Sequence, residues 1–301
     1  MKKEKLLVNF SGGQTSAYMS WWLKEKMNHK YELVYCFQNT GCEHEKTLEF
    51  INNCDLFFNL NLYWIEAVVN EKGTGYKKVT FDTASRNGEP FEAVIKKYGI
   101  PNKQFPHCNR ELKIQPEKKF RKDNGINLKA IGIRSDEFER ATKKIKENNP
   151  TWSVQDILKY RYEEEGIYYP LIYDEPVTKD AIKNWWSKMP FKLEIKEHEG
   201  NCITCWKKSD RKLFTLAKEN EMYFDFFKDM ENKYGKFIPE NQKSRIGNQV
   251  FFRKYRSAND IIKESKTTSF ELFKENKFYQ LDLFNCDIDE DFTCNECGTI
   301  F

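Results

Sequence analysis

The sequence predicts an α/β fold in which helices cover both faces of a doubly wound parallel sheet. Short apolar runs alternate with longer amphipathic segments through the first part of the chain. A glycine-rich turn follows the first apolar run, and an arginine, Arg134, follows a later one. Strands that alternate with helices form parallel sheets, and ligands bind at the carboxyl ends of such strands.

Each predicted element follows from a change in the hydrophobic period. The first apolar run ends in two glycines, and the helix after it has apolar positions at Tyr18, Met19, Trp22 and Leu23. In order, the predicted elements are a strand at 6–10, a helix at 15–30, a strand at 32–37, a helix at 45–58, strands at 62–69 and 129–133, and a helix at 178–186.

Three other segments have a less regular pattern. Residues 71–106 are punctuated by glycine and predict a long, partly helical excursion on the loop side of the sheet. Residues 143–165 predict a charge-rich helical insertion, and residues 168–172 predict a strand-like or extended segment. The character of the chain changes near residue 190. We therefore predict an α/β domain at 1–190 and a helical, cysteine-bearing region at 191–301.

Composition excludes several classes of protein. The 301-residue chain is 39% hydrophobic and 15% aromatic, which excludes a disordered polymer. A net charge of +4 permits an anionic ligand, but nucleic acid is not favoured as a partner. No apolar run approaches the roughly 20 residues that cross a bilayer, and residues 6–10 are too few for a signal peptide. Nine cysteines, an odd number, do not indicate a disulfide framework. We expect a cytoplasmic protein without a membrane partner.

The turn between the first strand and the first helix indicates an anion site. Two glycines let the backbone curl so that its N–H groups face an anion, and the helix dipole points its positive end there. The Walker loop and the dinucleotide fingerprint are both absent, and an ordinary strand–helix turn is the alternative. A branched side chain at Gly12 is expected to block the anion and to leave the fold intact. The predicted phosphate-binding residues are Ser11, Gly12, Gly13, Gln14, Thr15 and Ser16.

This loop resembles the PP-loop of the adenine nucleotide alpha-hydrolase superfamily, and further segments narrow the resemblance. Residues 37–50 resemble the Asp-Thr-Gly segment of phosphoadenylylsulfate (PAPS) reductases, with Asn39 in place of the aspartate. Residues 106–116 resemble their Cys-x-x-Arg/Lys…Pro segment, 132–140 their Gly-x-Arg…Arg segment, and 169–186 their Pro-Leu…Trp segment. The chain is therefore similar to the PAPS reductase-like family, in the branch common in phages and mobile elements.

The resemblance implies that the ligand is an adenine nucleotide, either PAPS or ATP, and that ATP would bring Mg²⁺. It implies that Asn39, Thr40 and Gly41 lie near the ribose or adenine, and that Arg134 contacts the nucleotide. Arginine suits an oxyanion because its planar fork binds two oxygens at once. The matched segments also imply substrate contacts for Arg110, Lys113 and Arg140.

Two Cys-x-x-Cys pairs, Cys202 with Cys205 and Cys294 with Cys297, predict a metal site, because each turn can place two thiolates on one metal. The resemblance adds Cys108, since adenylylsulfate reductases hold a four-iron cluster between a Cys-Cys pair and a distant Cys-x-x-Cys. One of those four thiolates is missing here, and Cys294 or Cys297 is the predicted replacement. PP-loop thiolation enzymes use three cysteines with an open iron. We expect an iron–sulfur cluster rather than zinc. The cysteines interpreted as buried or incidental are Cys36, Cys42, Cys54 and Cys286.

Cys297 also has a second interpretation. The sequence Glu-Cys-Gly at 296–298 resembles the tail that carries the nucleophile of sulfonucleotide reductases, although Thr299 departs from their pattern. The neighbouring Cys294 favours metal ligation instead.

Two chemistries stay open. In the first, a thiolate attacks a sulfonucleotide and sulfite leaves, which needs a thiol reductant protein. In the second, ATP adenylates a substrate that then receives sulfur from a donor. The third alternative is a non-catalytic nucleotide-binding protein of phage defence or regulation.

Overall fold

A computed structural model describes residues 3–200, 202–244 and 247–273. The strands are β1 (Glu4–Asn9), β2 (Tyr31–Asn39), β3 (Tyr63–Asn70), β4 (Gly73–Val79), β5 (Leu128–Ala130) and β6 (Ile167–Tyr168). The α-helices are α1 (Gln14–Met27), α2 (Glu45–Phe58), α3 (Glu89–Tyr98), α4 (Gln115–Asn124), α5 (Glu139–Asn148), α6 (Val154–Glu163), α7 (Pro170–Tyr173), α8 (Lys179–Ser187), α9 (Asp210–Glu219), α10 (Asp225–Tyr234) and α11 (Ala258–Thr267). None of these helices in the described residues combines the length and apolar character needed to cross a membrane.

The six strands form one sheet with the order β4-β3-β2-β1-β5-β6. Every neighbouring pair is parallel except β3 with β4, which is antiparallel. At the centre, Leu6 of β1 lies opposite Leu33 of β2 on one side and Leu128 of β5 on the other. Leu6, Leu7 and Val8 are fully buried, so both faces of the sheet are covered. The predicted doubly wound α/β fold is confirmed.

The segment at 71–106 differs from the prediction, because it contains the edge strand β4 as well as α3. β4 pairs with β3 from Trp64 opposite Val79 to Asn70 opposite Gly73. Its sequence, Gly-Thr-Gly-Tyr-Lys-Lys-Val, has no regular apolar alternation, and its residues are half-buried or exposed. Glycine and lysine are common on edge strands, where they discourage further pairing. The sheet therefore has one more strand on this side than the sequence predicts.

The segments around residue 160 also differ from the prediction. The insertion at 143–165 is part of two helices, since Pro150 follows the end of α5 and Ser153 caps the start of α6. The segment at 168–172 contains only the end of β6. Pro170 then begins α7, at a helix position where its missing N–H costs nothing.

The strand order creates a crevice at the carboxyl ends of the central strands. The chain leaves β1 toward β2 on one side, and β5 pairs with β1 on the other side. Connections from β1 and β5 therefore diverge at the carboxyl ends of these strands, and α/β sheets bind ligands at such a switch point. The glycine-rich loop follows β1 and Arg134 follows β5, so the fold places both at this crevice.

Helices α9 to α11 share an apolar core with α3. The ring centroid of Phe227 in α10 lies 6.3 Å from that of Phe91 in α3 and 4.6 Å from that of Phe251. Aromatic side chains bury much apolar area, so this contact accounts for the docking of the C-terminal helices on α3. The domain boundary near residue 190 stays a prediction.

Two glycines form a close contact between the loop after β2 and the start of α3. Gly88 N donates a 2.9 Å hydrogen bond to Gly41 O, and φ is +80° at Gly41 and +79° at Gly88. A Cβ on Gly88 would lie 2.1 Å from the ring of Phe226 in α10. The absence of a side chain at Gly88 therefore lets α10 press against this junction.

We expect Gly88→Ala to destabilise the protein more than Gly125→Ala. Both glycines have positive φ, which costs an alanine about 1 to 2 kcal/mol, but a Cβ on Gly125 would meet no atom within 4 Å. Displacement of Phe226 should add about 1 to 3 kcal/mol at Gly88. Denaturant unfolding measures both losses, and adding Phe226→Ala should remove most of the difference. Equal losses of unfolding free energy at the two glycines would contradict the contact.

Candidate functional site

Ser16 fastens the loop that follows β1. Its Oγ accepts hydrogen bonds from Ser11 N at 3.1 Å and from Ser11 Oγ at 3.0 Å, and it donates to Gly13 O at 2.9 Å. α1 then begins at Gln14, directly after a glycine that has no side chain to cap the helix. The first N–H groups of α1 are therefore available to an anion, and the helix dipole favours one there.

Gly12 has a packing role that its sequence position does not reveal. Its φ is +86°, and a Cβ would lie 2.9 Å from Thr47 Cγ2 and 3.1 Å from Ile51 Cδ1, both on α2. A side chain here would strain the backbone and push α2 away. A branched residue at Gly12 is therefore expected to disturb the packing of α2 as well as to block an anion, which argues against the expectation that the fold stays intact.

Arg134 joins the two sides of the crevice. Its Nη1 donates a 3.2 Å hydrogen bond to Thr15 Oγ1 in the first turn of α1. Asp136 lies 2.9 Å from Arg134 Nε, and Glu137 lies 3.4 Å from Nη1. Glu137 also pairs with Arg140. Two carboxylates and a hydroxyl therefore hold the Arg134 guanidinium beside the predicted loop. Arg140 is linked to Arg134 through Glu137, which pairs with both arginines.

Two residues to which the sequence analysis assigned no role position this loop. A Cβ on Gly132 would lie 3.3 Å from Ser16 Cα, so its bare backbone lets the segment after β5 approach α1. Trp186 Nε1, from α8, donates a 2.9 Å hydrogen bond to Gln14 O. The Pro-Leu…Trp pattern was the available signal for Trp186, but it did not reveal a contact with the loop.

Asn39 is fully buried, and its amide is engaged inside the protein. Its Nδ2 donates to Glu66 Oε1 at 2.7 Å and to Ser85 O at 2.8 Å. Burial alone would raise the pKa of Glu66, but hydrogen bonds from Ser85, Asn39 and Lys77 hold it below its ordinary value. An aspartate in place of Asn39 would repel this carboxylate, which explains the departure from Asp-Thr-Gly. A contact of Asn39 with ribose or adenine stays a prediction.

Glu43 closes the turn after β2. Its Oε2 accepts a hydrogen bond from Thr40 N at 3.0 Å, and its Oε1 accepts one from Thr40 Oγ1 at 2.8 Å. Burial raises the pKa of Glu43, although Lys113 and the Thr40 hydrogen bonds act in the opposite direction. Glu43 also forms an antiparallel bridge with Cys202. The end of β2 is thereby tied to the first Cys-x-x-Cys turn.

Three predicted metal ligands line one cavity. Cys108, Cys202 and Cys205 surround a space of about 40 Å³, together with Thr40. A hydrogen bond with Cys205 and burial raise the pKa of the Cys202 thiol. The other residues that line this cysteine cavity are Phe91, Asn109, Leu112, Lys113, Trp206, Lys207 and Phe227.

Cys42, interpreted from the sequence as buried or incidental, lies beside these three cysteines. It packs against the same apolar cluster as Cys108 and Cys202. Its thiol interacts electrostatically with both, and burial, followed by the charge of Glu43, raises its pKa. Six of the nine cysteines fall in the described residues, and all six are thiols rather than disulfides.

The donor side chains of the described residues do not form a site for a single ion. Among residues 3–200, 202–244 and 247–273, no three His, Cys, Asp or Glu side chains are close enough to share one ion. A single tetrahedral metal needs its thiolates packed together, whereas a four-iron cluster takes one thiolate at each iron and so accepts sulfurs spread around a cavity. The predicted ligands Cys294 and Cys297 lie outside the described residues.

Arg110 and Lys113 belong to one helical turn but have different surroundings. Arg110 Nε donates a 2.7 Å hydrogen bond to Glu111 Oε1, and the Arg110 side chain is half exposed. Lys113 lines the cysteine cavity and acts electrostatically on Glu43. Of the three predicted substrate contacts, Arg110, Lys113 and Arg140, only Lys113 is among the residues that line the cavity.

Known proteins resemble the chain over most of its length. A sequence model of the phosphoadenosine phosphosulfate reductase domain matches residues 5–175, more than half of the chain. An uncharacterized nin region protein of Escherichia phage lambda is 33% identical over 224 residues, which cover 71% of this chain and 70% of that protein. An uncharacterized protein of Methanocaldococcus jannaschii is 28% identical over 145 residues, which cover 47% of this chain and 25% of that protein.

Among solved structures, the chain is similar to the U34-tRNA thiolase NcsA from Methanococcus maripaludis with its [4Fe-4S] cluster. The two share 13% identity with a TM-score of 0.40, over 93% of this chain and 77% of the thiolase. The domain match, the strand order and the glycine-rich loop after β1 agree on an α/β PP-loop fold. The chain belongs to the phosphoadenosine phosphosulfate reductase domain family.

Proposed function

We propose that this protein binds an adenine nucleotide, PAPS or ATP, in the crevice between β1 and β5. The observation that carries the proposal is the contact of Arg134 with Thr15, which places a guanidinium beside the first turn of α1. A phosphate or sulfate placed there meets backbone N–H groups, the positive end of a helix dipole and an arginine fork. Asp136 and Glu137 hold Arg134 in position, so little reorganisation is needed when an anion arrives.

We further propose that the cysteine cavity holds an iron–sulfur cluster, with Cys108, Cys202 and Cys205 as ligands. These thiols come from distant parts of the chain and meet beside Thr40, which follows β2. Because β2 is the parallel neighbour of β1, the cavity and the nucleotide loop open at the same edge of the sheet. When bound, the cluster would tie together the chain segments that carry its ligands, close to the nucleotide loop.

The reaction that we propose first is reduction of a sulfonucleotide, because the chain belongs to the PAPS reductase domain family. The Cys297 thiolate attacks the sulfur of PAPS, the bond from that sulfur to the bridging oxygen breaks, and the nucleotide leaves with both phosphates. One thiol of a dithiol reductant protein then attacks the Cys297 sulfur, and sulfite leaves. The second thiol of the reductant closes its disulfide and returns Cys297 as a thiolate, so two electrons pass from the dithiol to sulfur.

ATP-driven sulfur transfer is the second proposal, and the thiol-lined cavity beside the nucleotide loop favours it. An acceptor oxygen attacks the α-phosphate of ATP, pyrophosphate leaves, and a sulfur nucleophile from a donor then displaces AMP. Mg²⁺ would accompany the ATP phosphates. Lys113 and Lys207 line the cavity and give it positive charge that suits an anionic acceptor.

Arg134→Gln tests the nucleotide site. Loss of hydrogen bonds from a charged donor costs about 1.5 to 3 kcal/mol, so we expect the Kd for ATP or PAPS to rise about 10- to 100-fold. Isothermal titration calorimetry measures the change. Arg121→Gln is the control, because Arg121 pairs with Glu117 and bonds Asn127 O, and neither partner belongs to the glycine-rich loop or to the segment after β5. Equal affinities of Arg134→Gln and the wild-type chain for both nucleotides would contradict the assignment.

Cys202→Ser tests the cluster. Removal of one ligand thiolate should lower iron and sulfide content and loosen the C-terminal helices, because metal binding to a folded site contributes to its stability. Iron and sulfide are measured after anaerobic reconstitution, and proteolysis reports the loosening. Cys54→Ser is the control, since Cys54 is buried in α2 within the other large apolar core. Unchanged iron in Cys202→Ser, or a wild-type chain that holds zinc in place of iron, would remove the cluster from the proposal.

Cys297→Ser distinguishes the two reactions. With PAPS and a dithiol protein, we expect the wild-type chain to release sulfite and Cys297→Ser to release none while its iron content stays normal, because only the nucleophile is lost. Cys286→Ser, another cysteine outside the described residues, is the matched control. Pyrophosphate release from ATP without sulfite from PAPS would favour sulfur transfer. Nucleotide binding with neither product would identify a non-catalytic binding protein.

A further inference from the structure

The turn after β2 carries Cys42, two residues after Thr40, which lines the cysteine cavity. Cys42 N donates a 3.4 Å hydrogen bond to the hydroxyl of Thr40, a residue that lines the cavity. Glu43, the next residue, accepts two hydrogen bonds from Thr40 and pairs with Cys202 across an antiparallel bridge. Thr40, two residues before Cys42, and Glu43, directly after it, are therefore held by these contacts, and the Cys42 backbone is held between them.

Four thiols from three chain segments lie near one another, because Cys108, Cys202 and Cys205 line the cavity and the Cys42 thiol interacts electrostatically with those of Cys108 and Cys202. Cys202 and Cys205 share one turn, Cys108 precedes the helical turn at Arg110–Ile114, and Cys42 follows β2. Cys42, Cys108 and Cys202 pack against one apolar cluster. Four cysteines are the usual ligand number of a four-iron cluster. The sequence analysis assigned the missing fourth thiolate to Cys294 or Cys297, and the fold offers Cys42 as another candidate.

The positive charge in the cavity wall suits a cluster that is held by four thiolates. Each thiolate adds a negative charge, and apolar residues such as Leu112 and Phe227 cannot solvate it. Lys113 and Lys207 lie in the same wall and supply positive charge. A cluster with four thiolates is more negative than one with three, so two lysines balance the complete set better.

We propose that Cys42 is the fourth protein ligand of the cluster and completes the set formed by the three cavity cysteines. The inference rests on the proposed function, since it requires a cluster in the cavity. A cluster with four protein thiolates has no iron open to a small ligand. Metal binding then requires neither Cys294 nor Cys297, and Cys297 is available as a nucleophile.

Mild oxidation distinguishes three protein ligands from four, because an iron without a protein thiolate is released and a paramagnetic [3Fe–4S] form remains. The full chain and Cys42→Ala are reconstituted anaerobically with iron and sulfide and then treated with ferricyanide. Iron analysis and electron paramagnetic resonance follow the cluster. We expect the wild-type chain to keep its iron, and Cys42→Ala to lose about one iron in four and to gain the three-iron signal. Cys54→Ala removes a buried cysteine of the other large apolar core and should match the wild-type chain.

The failures of the inference and of the proposed function give different results. If circular dichroism shows that Cys42→Ala does not fold, Cys42→Ser takes its place with the same expected loss of iron. A three-iron signal from the wild-type chain, or full retention of iron by the folded Cys42 variant, would overturn the inference and leave the cluster standing. A wild-type chain that takes up no iron would defeat the cluster and the inference together.

Discussion

The parallel pairing of β1 with β2 and β5 is the interaction on which the rest of the structure depends. Parallel strands end at the same edge, so the glycine loop, the turn at Thr40 and the segment leading to Arg134 all open toward one place. The register is strongly fixed, because a shift of one residue would exchange the faces to which Leu6 and Leu7, both fully buried, point. Both parts of the candidate site therefore depend on the same hydrogen-bond ladder.

A buried carboxylate, Glu66, connects the strands β2, β3 and β4 on one side of the sheet. Glu66 of β3 accepts hydrogen bonds from Asn39, from Ser85 N and from Ser85 Oγ, and Lys77 of β4 lies 3.1 Å from it. One buried charge on β3 thus connects β2, β4 and the loop before α3. Such a charge is tolerated only where donors surround it, and the amide of Asn39 provides one that an aspartate would lack. The replacement of the family's aspartate by Asn39 is therefore matched by the hydrogen bond that Asn39 donates to Glu66.

The sequence predicted the parts of the fold that depend on periodicity, and it missed those that depend on distant contacts. The central strands are continuous apolar runs, and α2 and α8 each have apolar residues at helical spacing, so their hydrophobic patterns are clear. β4 exposes both glycine and lysine, and its pairing with β3 has no local signature. Arg134 followed from its position after a strand. Cys42 was missed because only the docking of the Cys202 turn on Glu43 gives it thiol neighbours, and chain spacing does not encode that bridge.

The bridge between Glu43 and Cys202 joins segments that leave the ribosome far apart in time. The four strands from β1 to β4 are complete before the Cys-x-x-Cys turn has been synthesised, and domains fold as their residues emerge. The cysteine cavity consequently forms only after residues 202–205 and the helices α9 to α11 have been added to the chain. Any group bound in the cavity would stabilise the contact of these helices with α3. Damage to it by oxygen would open the molecule from its C-terminal side while the central sheet, with its nucleotide loop, stays formed.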